Sequence, residues 1–313
     1  MKRIQNRVAE SRLTLLVTVL FGLAIWLLCG LIQQQWWIQF ACAALSTYLM
    51  VELNNGNALI RIYSRTVSCA FIILSCIACF LFPSVEGAIA QLCLVASLLT
   101  LYHTYQDKAS PGWTFYTFLL LGLASLVKVH VFFFVPVYWV IMAFFTYSLS
   151  WRTFLASIFG LTVPYWFLAS IVLLRFQDAF TTFTNHFLPL SKFQIPFDYS
   201  LVSIPEILTY AFVIILAITG IIHYLRNSYN DKIRIRQIYY SLILLDVIAL
   251  VFVCIQPQHY DLMMRCTVIA TSPLIAHFLT LTHTRITNIA FCIIMGTAVL
   301  LTVLHLWISS FIF

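Results

Sequence analysis

The chain has 313 residues, 62% of them hydrophobic and only 9% charged, with a mean hydropathy of +0.98. A soluble domain carries about 25% charged residues, so there is too little polar surface here to cover a water-soluble globule, and the composition is that of a polytopic membrane protein. The net charge of +7 comes without any basic cluster interleaved with aromatic residues, so no nucleic-acid partner is expected.

The chain begins with a charged stretch, "MKRIQNRVAESR", followed by an apolar run of about 20 residues. That run is long for a signal peptide and lacks a small-x-small cleavage site, so an uncleaved span is expected. The run "WLLCG" at 26–30 resembles a lipoprotein cleavage box, but Leu28 stands where a small residue is needed. A spanning helix needs about 20 apolar residues, with about 17 tolerated. On that ruler the sequence predicts an all-α transmembrane bundle of about eleven spans (range 10–12). They lie near 13–32, 36–52, 66–83, 87–104, 113–127, 130–147, 153–174, 207–225, 237–255, 266–282 and 289–311. The second, fifth and tenth are short, and the fifth and sixth read equally well as half-helices meeting inside the membrane.

Charge placement supports this division. With the N-terminus in the cytoplasm and strict alternation, the inner side receives Lys2, Arg3, Arg7, Arg12, Arg61, Arg65, Lys108, Arg152, Arg226, Lys232, Arg234, Arg236 and Arg285. The outer side receives only Lys128, Arg175, Lys192 and Arg265. Cytoplasmic loops carry the excess of Lys and Arg, so the predicted topology is N-terminus in and C-terminus out, in the cell inner membrane.

One integral membrane domain, 1–313, is expected, with no internal repeat. The longest connection, 175–206, mixes Phe, Leu and Pro with scattered charges and is predicted to lie on the outer bilayer surface as short amphipathic pieces. The inner stretch 54–65 reads either as a similar interfacial piece or as a plain connector. Gly160 and Pro164 predict a kink in the seventh span. Most of the nine cysteines sit in apolar runs and read as small buried residues. The Cys76/Cys79 pair has CxxC spacing, and Cys254 and Cys266 flank one outer loop where a bridge is conceivable. No zinc spacing occurs, and no metal or cofactor is expected.

Ionisable residues in the apolar runs carry what chemistry there is. Lys128 and His130 interrupt "LGLASLVKVHVFFFV" at the outer ends of the fifth and sixth spans. Such a group faces a cavity or partner, unless the lysine simply snorkels to the headgroups. The outer loop "QPQHYDLMMR" supplies His259, Tyr260, Asp261 and Arg265, and the long connection supplies Arg175, Asp178, His186 and Lys192. If these loops converge, Lys128, His130, Arg175 and Arg265 are candidates to bind a phosphate, and His259 or Asp261 to move a proton. Asp246 stands near the middle of the ninth span with His277 of the next as its nearest expected neighbour, within roughly 10 Å in depth at 1.5 Å per residue. Pairing would hold two helices together or relay protons. Lipid disfavours a charged carboxyl, so Asp246 is expected to be neutral and to donate a hydrogen bond between helices. No Walker loop, GxGxxG, HExxH or GxSxG motif occurs.

Two stretches, 122–166 and 256–291, resemble a bacterial family of uncharacterised multi-pass inner-membrane proteins, and the likeness extends along most of the chain. The pattern "GLASLVK" followed by an apolar helix is more distantly similar to C-type membrane glycosyltransferases. That second likeness implies a sugar donor on a polyprenyl-phosphate carrier and work at the outer face. Those enzymes place an acidic residue in a long first outer loop, whereas here that loop is only about "QQQ" (33–35) and Glu52 falls on the inner side. No residue role is carried over.

Three functions follow as expectations. One is a membrane enzyme or binding protein for a polyprenyl-linked or other lipid phosphate, with membrane lipids as its surroundings. The second is a non-catalytic subunit or scaffold for a protein partner that the sequence does not name. The third is a transporter, which requires a polar path through the membrane.

Overall fold

Long apolar runs punctuated by Pro, Gly, Ser and Asn fold into helices that satisfy their own backbone, as lipid requires. The computed structural model describes residues 3–175, 179–191 and 202–312, and among these no strand occurs. The helices are α1 (Ile4–Glu10), α2 (Thr14–Leu28), α3 (Trp37–Asn57), α4 (Thr66–Ile77), α5 (Val85–His103), α6 (Pro111–Val127) and α7 (Phe134–Phe144). They continue with α8 (Trp151–Arg175), α9 (Ala179–Ser191), α10 (Ile204–Asn227), α11 (Ile233–Ile255), α12 (Tyr260–Leu281) and α13 (Arg285–Ile312).

Each of the eleven predicted segments is helical, but they are not equal. Among the described residues six helices, α5, α8 and α10 to α13, are long and apolar enough to cross a membrane, and α1 with α2 makes a seventh if that pair, bent by 92°, counts as one. α4, α6 and the stretch Val129–Phe144 are apolar but shorter. α3 has the length, but Gln39, Glu52 and three asparagines dilute it.

The bundle is built around α12. Of its span 94% is buried, against 22% for α8 and for α13. α4, α5, α10 and α11 all pack on it. Small side chains along α12 (Thr267, Ala270, Thr271, Ser272, Ala276) let these neighbours approach closely. α6 and α8 form the other close pair. A Cβ on Gly122 would stand 2.9 Å from the Leu161 carbonyl oxygen, and one on Gly160 would strike the Phe115 carbonyl. Gly160 therefore serves helix contact, and α8 runs on through Pro164.

Contacts at the two ends separate the residues as the charge pattern does. At one end Arg3 meets the His283 carbonyl, Arg61 meets Asp231, and Arg234 meets Asn57. At the other end Glu86, Lys128, His186, Glu206, Gln258 and Asp261 line two neighbouring clefts. No disulfide joins any of the nine cysteines, Cys254 and Cys266 included, and Cys76 and Cys79 are buried.

Candidate functional site

Lys128 stands where α6 stops. Its backbone is extended (φ −127°, ψ 95°), and a 3-10 turn, Val129–Phe133, leads into α7. The β-branched run Val127, Val129 and Val131 weakens helix propensity here, and the lysine favours a polar exit from the apolar segment. Its side chain does not simply reach outward. The ammonium lies 3.2 Å from Glu86 Oε2 and 3.6 Å from Asp261 Oδ2.

Both carboxylates come from first turns of helices. Ser84 Oγ accepts from the Gly87 N–H to cap α5, which sets Glu86 in its first turn. Pro257 opens a 3-10 turn that ends at His259, and Asp261 follows in the first turn of α12. The positive ends of the two helix dipoles stabilise the two acids. Glu86 is 63% exposed, while Lys128 and Asp261 are about a third exposed at 28% and 31%.

Two imidazoles stand beside the lysine. The rings of His130 and His259 are 3.7 Å apart between centroids, and His130 Nε2 is buried with no hydrogen-bond partner. Two positive rings at that separation repel, so the pair favours at least one neutral ring with a nitrogen free to take a proton. A cleft of about 480 Å³ opens onto Lys128, both histidines, Asp261 and His186. A second of about 610 Å³ adjoins it, sharing Lys128, Gln258 and Asp261. Within the long connection, α9 lies against the 3-10 turn after Lys128, where His186 Nε2 donates to the Ser125 carbonyl at 3.2 Å. Among the described residues no group of three or more metal-ligating side chains occurs.

Arg265 departs from the phosphate-binding role expected of it. α12 begins at Tyr260, six residues before the predicted span, which carries Arg265 more than a turn inside. The side chain is only 5% exposed. Its Nε donates to Asp261 Oδ1 at 3.1 Å, Nη1 donates to Gln91 Oε1 at 2.9 Å, and Nη2 donates to the Leu81 carbonyl. Gly87 makes room for it, since a Cβ there would stand 2.5 Å from Nε. Arg265 ties α12, α5 and the turn after α4 together beneath the clefts. The side chain of Arg175, like Asp178 and Lys192, lies outside the described residues.

The expected Asp246–His277 pair does not form. On α12 the residue level with Asp246 is Thr271, whose hydroxyl lies 3.0 Å from both carboxyl oxygens and donates to them. His277 is six residues further along, about 9 Å, and meets Asp231 instead, Nε2 to Oδ2 3.2 Å. Asp246 thus links α11 to α12 through Thr271 rather than through His277. Asp246→Asn keeps an acceptor and should change stability by less than about 1 kcal/mol, whereas Asp246→Leu strands a buried hydroxyl at about 1–3 kcal/mol. Thermal unfolding in detergent measures both; an Asn variant as weak as the Leu variant would contradict this placement.

Asp231 closes the opposite end. Its buried carboxylate takes His277 on one oxygen and Arg61 Nε on the other at 2.7 Å. Burial alone would raise its pKa, but the hydrogen bond and charge of His277, with those of Arg61, outweigh burial and hold it below the ordinary value. A depressed folded pKa means that the stabilisation is present at neutral pH and fades as pH falls through the folded value, below about 4. Asp231→Asn should cost about 1–3 kcal/mol at pH 7, Arg61 being partly exposed. The gap from wild type should narrow below about pH 4. A gap constant from pH 7 to 3 would contradict this.

Sequence reasoning did not single out Glu86, Gln91, Asp231 or Thr271. Glu86 had a signal, since "PSVEG" reads as a helix start with an acid in the first turn. Comparison with protein-family models, with curated proteins and with solved structures yields no match to this chain.

Proposed function

We propose that this is a multi-pass protein of the bacterial inner membrane whose outer end binds, and acts upon or hands on, a phosphate-bearing lipid of the polyprenyl-phosphate kind or a similar one. The observation that carries this reading is Lys128 between two open clefts, beside a histidine pair and the partly exposed Asp261. Its nearest anion, Glu86, is 63% exposed and returns to water at little cost, so a phosphate can take its place on the ammonium. Asp261 stays tethered by Arg265 and, with His259, is placed to accept a proton from a group bound there.

In this reading the N-terminus is cytoplasmic, the chain crosses about eleven times, and the Lys128 end faces outward. A reporter fused after Asn230 should signal cytoplasm and one fused at 185–190 the outside; matching signals from both would overturn the topology. For the ligand, purified protein should bind farnesyl phosphate at least about tenfold more tightly than farnesol, as expected of a charged hydrogen bond worth 1.5–3 kcal/mol. Equal binding would count against a phosphate site.

A scaffold reading draws support from α8, where Trp151, Phe159, Trp166 and Phe167 form an exposed aromatic flank. A transporter finds less. Between Arg265 and Thr271 the bundle is filled by Leu94, Leu98, Leu245 and Ile269, with Tyr138 and Cys266, around a void of only about 10 Å³, the size of a single water at most.

A further inference from the structure

Two cysteines that the Lys128 site does not use meet at the same end of the bundle. Cys29 follows α2 as its last turn closes, its N–H donating to the Ile25 carbonyl at 2.9 Å. Cys79 opens the 3-10 turn Cys79–Leu81 that follows α4. One turn away from each, Trp26 and Phe82 stack with 3.8 Å between ring centroids and 4° between ring planes, which fixes the two chain ends against each other. Trp26, Cys79 and Phe82 belong to one apolar cluster, against which Cys29 packs. Within it the Cys79 thiol donates a hydrogen bond to the Cys29 sulfur. Cys76 points elsewhere. Its Sγ stands 3.7 Å from where a Cβ on Gly22 would be, and Gly22 lies about 10 Å further along α2 from Cys29. The three sulfurs do not converge as the ligands of one metal ion would.

We infer that Cys29 and Cys79 form a disulfide, installed by exchange with a protein disulfide of the compartment outside the membrane. The inference rests on the outward placement of this end in the reading above, and on no ligand of Lys128. Disulfides form and persist in the bacterial periplasm. The two sulfurs already touch, so side-chain rotation suffices to join them and the helices need not move far. Cys29 is half-buried whereas Cys79 is buried, so Cys29 is the thiol that an oxidant reaches. As a thiolate it attacks the partner's disulfide; a mixed disulfide forms and one partner sulfur leaves as thiolate. Cys79, deprotonated in turn, attacks Cys29 Sγ, and the second partner sulfur leaves. Two thiols have then lost two protons and two electrons, and the partner's disulfide has become a dithiol. The bond would anchor the wall of the second cleft to α2, because Phe80 and Leu81 follow Cys79 directly and line that cleft. The Leu81 carbonyl also holds Arg265.

The test uses the full chain from cells quenched in acid and blocked with N-ethylmaleimide, then purified and digested with trypsin without reductant. Peptides 13–61 and 66–108 should be recovered joined, and reductant should separate them. The link should be lost in Cys29→Ser and in Cys79→Ser, and kept in Cys42→Ser and Cys76→Ser. Reductant should lower the Tm of the wild type and leave that of Cys29→Ser unmoved. If the serine variants do not insert, fragmentation of the joined wild-type peptides locates the bond. A link that persists in Cys79→Ser, or maleimide on Cys29 and Cys79 in most wild-type molecules, would overturn the inference. Maleimide on both with an outside signal from the reporter at 185–190 would overturn the disulfide alone. The same result with a cytoplasmic signal would overturn the topology as well.

Discussion

Arg265→Ala should lower the stability of the solubilised protein by about 3 kcal/mol, the low end of the range for stripping one partner from a buried ion pair. The guanidinium is nearly solvent-free and holds three acceptors on three parts of the chain: Asp261, Gln91 and the Leu81 carbonyl. Alanine strips the charged donor from Gln91 Oε1, leaves the Leu81 carbonyl with only the 3.4 Å bond from the Ser84 N–H, and opens a hole in the pocket that Arg265 lines with Val268. Asp261 keeps Lys128, which limits the loss. Arg265→Lys should recover only part of the stability, because an ammonium cannot present the planar fork that three acceptors in three directions require. Gly87→Ala provides an independent check. Its methyl would stand 2.5 Å from Arg265 Nε, and overpacking of that kind costs about 1–3 kcal/mol. Thermal unfolding of the three variants measures all of this, and an Arg265→Ala protein as stable as wild type would contradict the assigned role.

The positions of the helices were legible because lipid leaves the chain few options. Apolar length is a one-dimensional signal, and all eleven segments it marked are helical, six of them long and apolar enough to span; Lys128, His186 and Asp261, which the alternation grouped, line one cleft. The meeting of the 128–130 break with the 256–261 loop was also within reach, since both fall outward in the same alternation. Partner choice was not legible. Depth arithmetic brought His277 within about 9 Å of Asp246, but a hydrogen bond needs about 3 Å, and Thr271 and Asp231 stood closer. Arg265 was misplaced for a related reason. Its hydropathy set the start of the tenth span at 266, whereas Pro257 and the acid at 261 mark the true helix start and draw the arginine inside. Glu86 was hidden by brevity, as its connection holds too few residues to look like a loop.

Lys128→Ala carries the second large effect, and it should fall on binding rather than on folding. The ion pairs of Lys128 are partly exposed and of a kind worth about 0–1 kcal/mol to stability, so the variant should insert and unfold like wild type. A cation meeting a phosphate in a cleft is worth more, about 1.5–3 kcal/mol, or roughly ten- to a hundredfold in affinity. Lys128→Arg should keep part of that, since charge survives while geometry changes. The most direct measurement is the preference for farnesyl phosphate over farnesol, determined side by side for wild type and Lys128→Ala in the same detergent. Partitioning of the prenyl chain into micelles cancels in that comparison. The expected result is a preference of at least about tenfold in wild type that falls to near unity in Lys128→Ala, with both proteins equally stable. An undiminished preference in Lys128→Ala, or none in wild type, would contradict a phosphate site at Lys128.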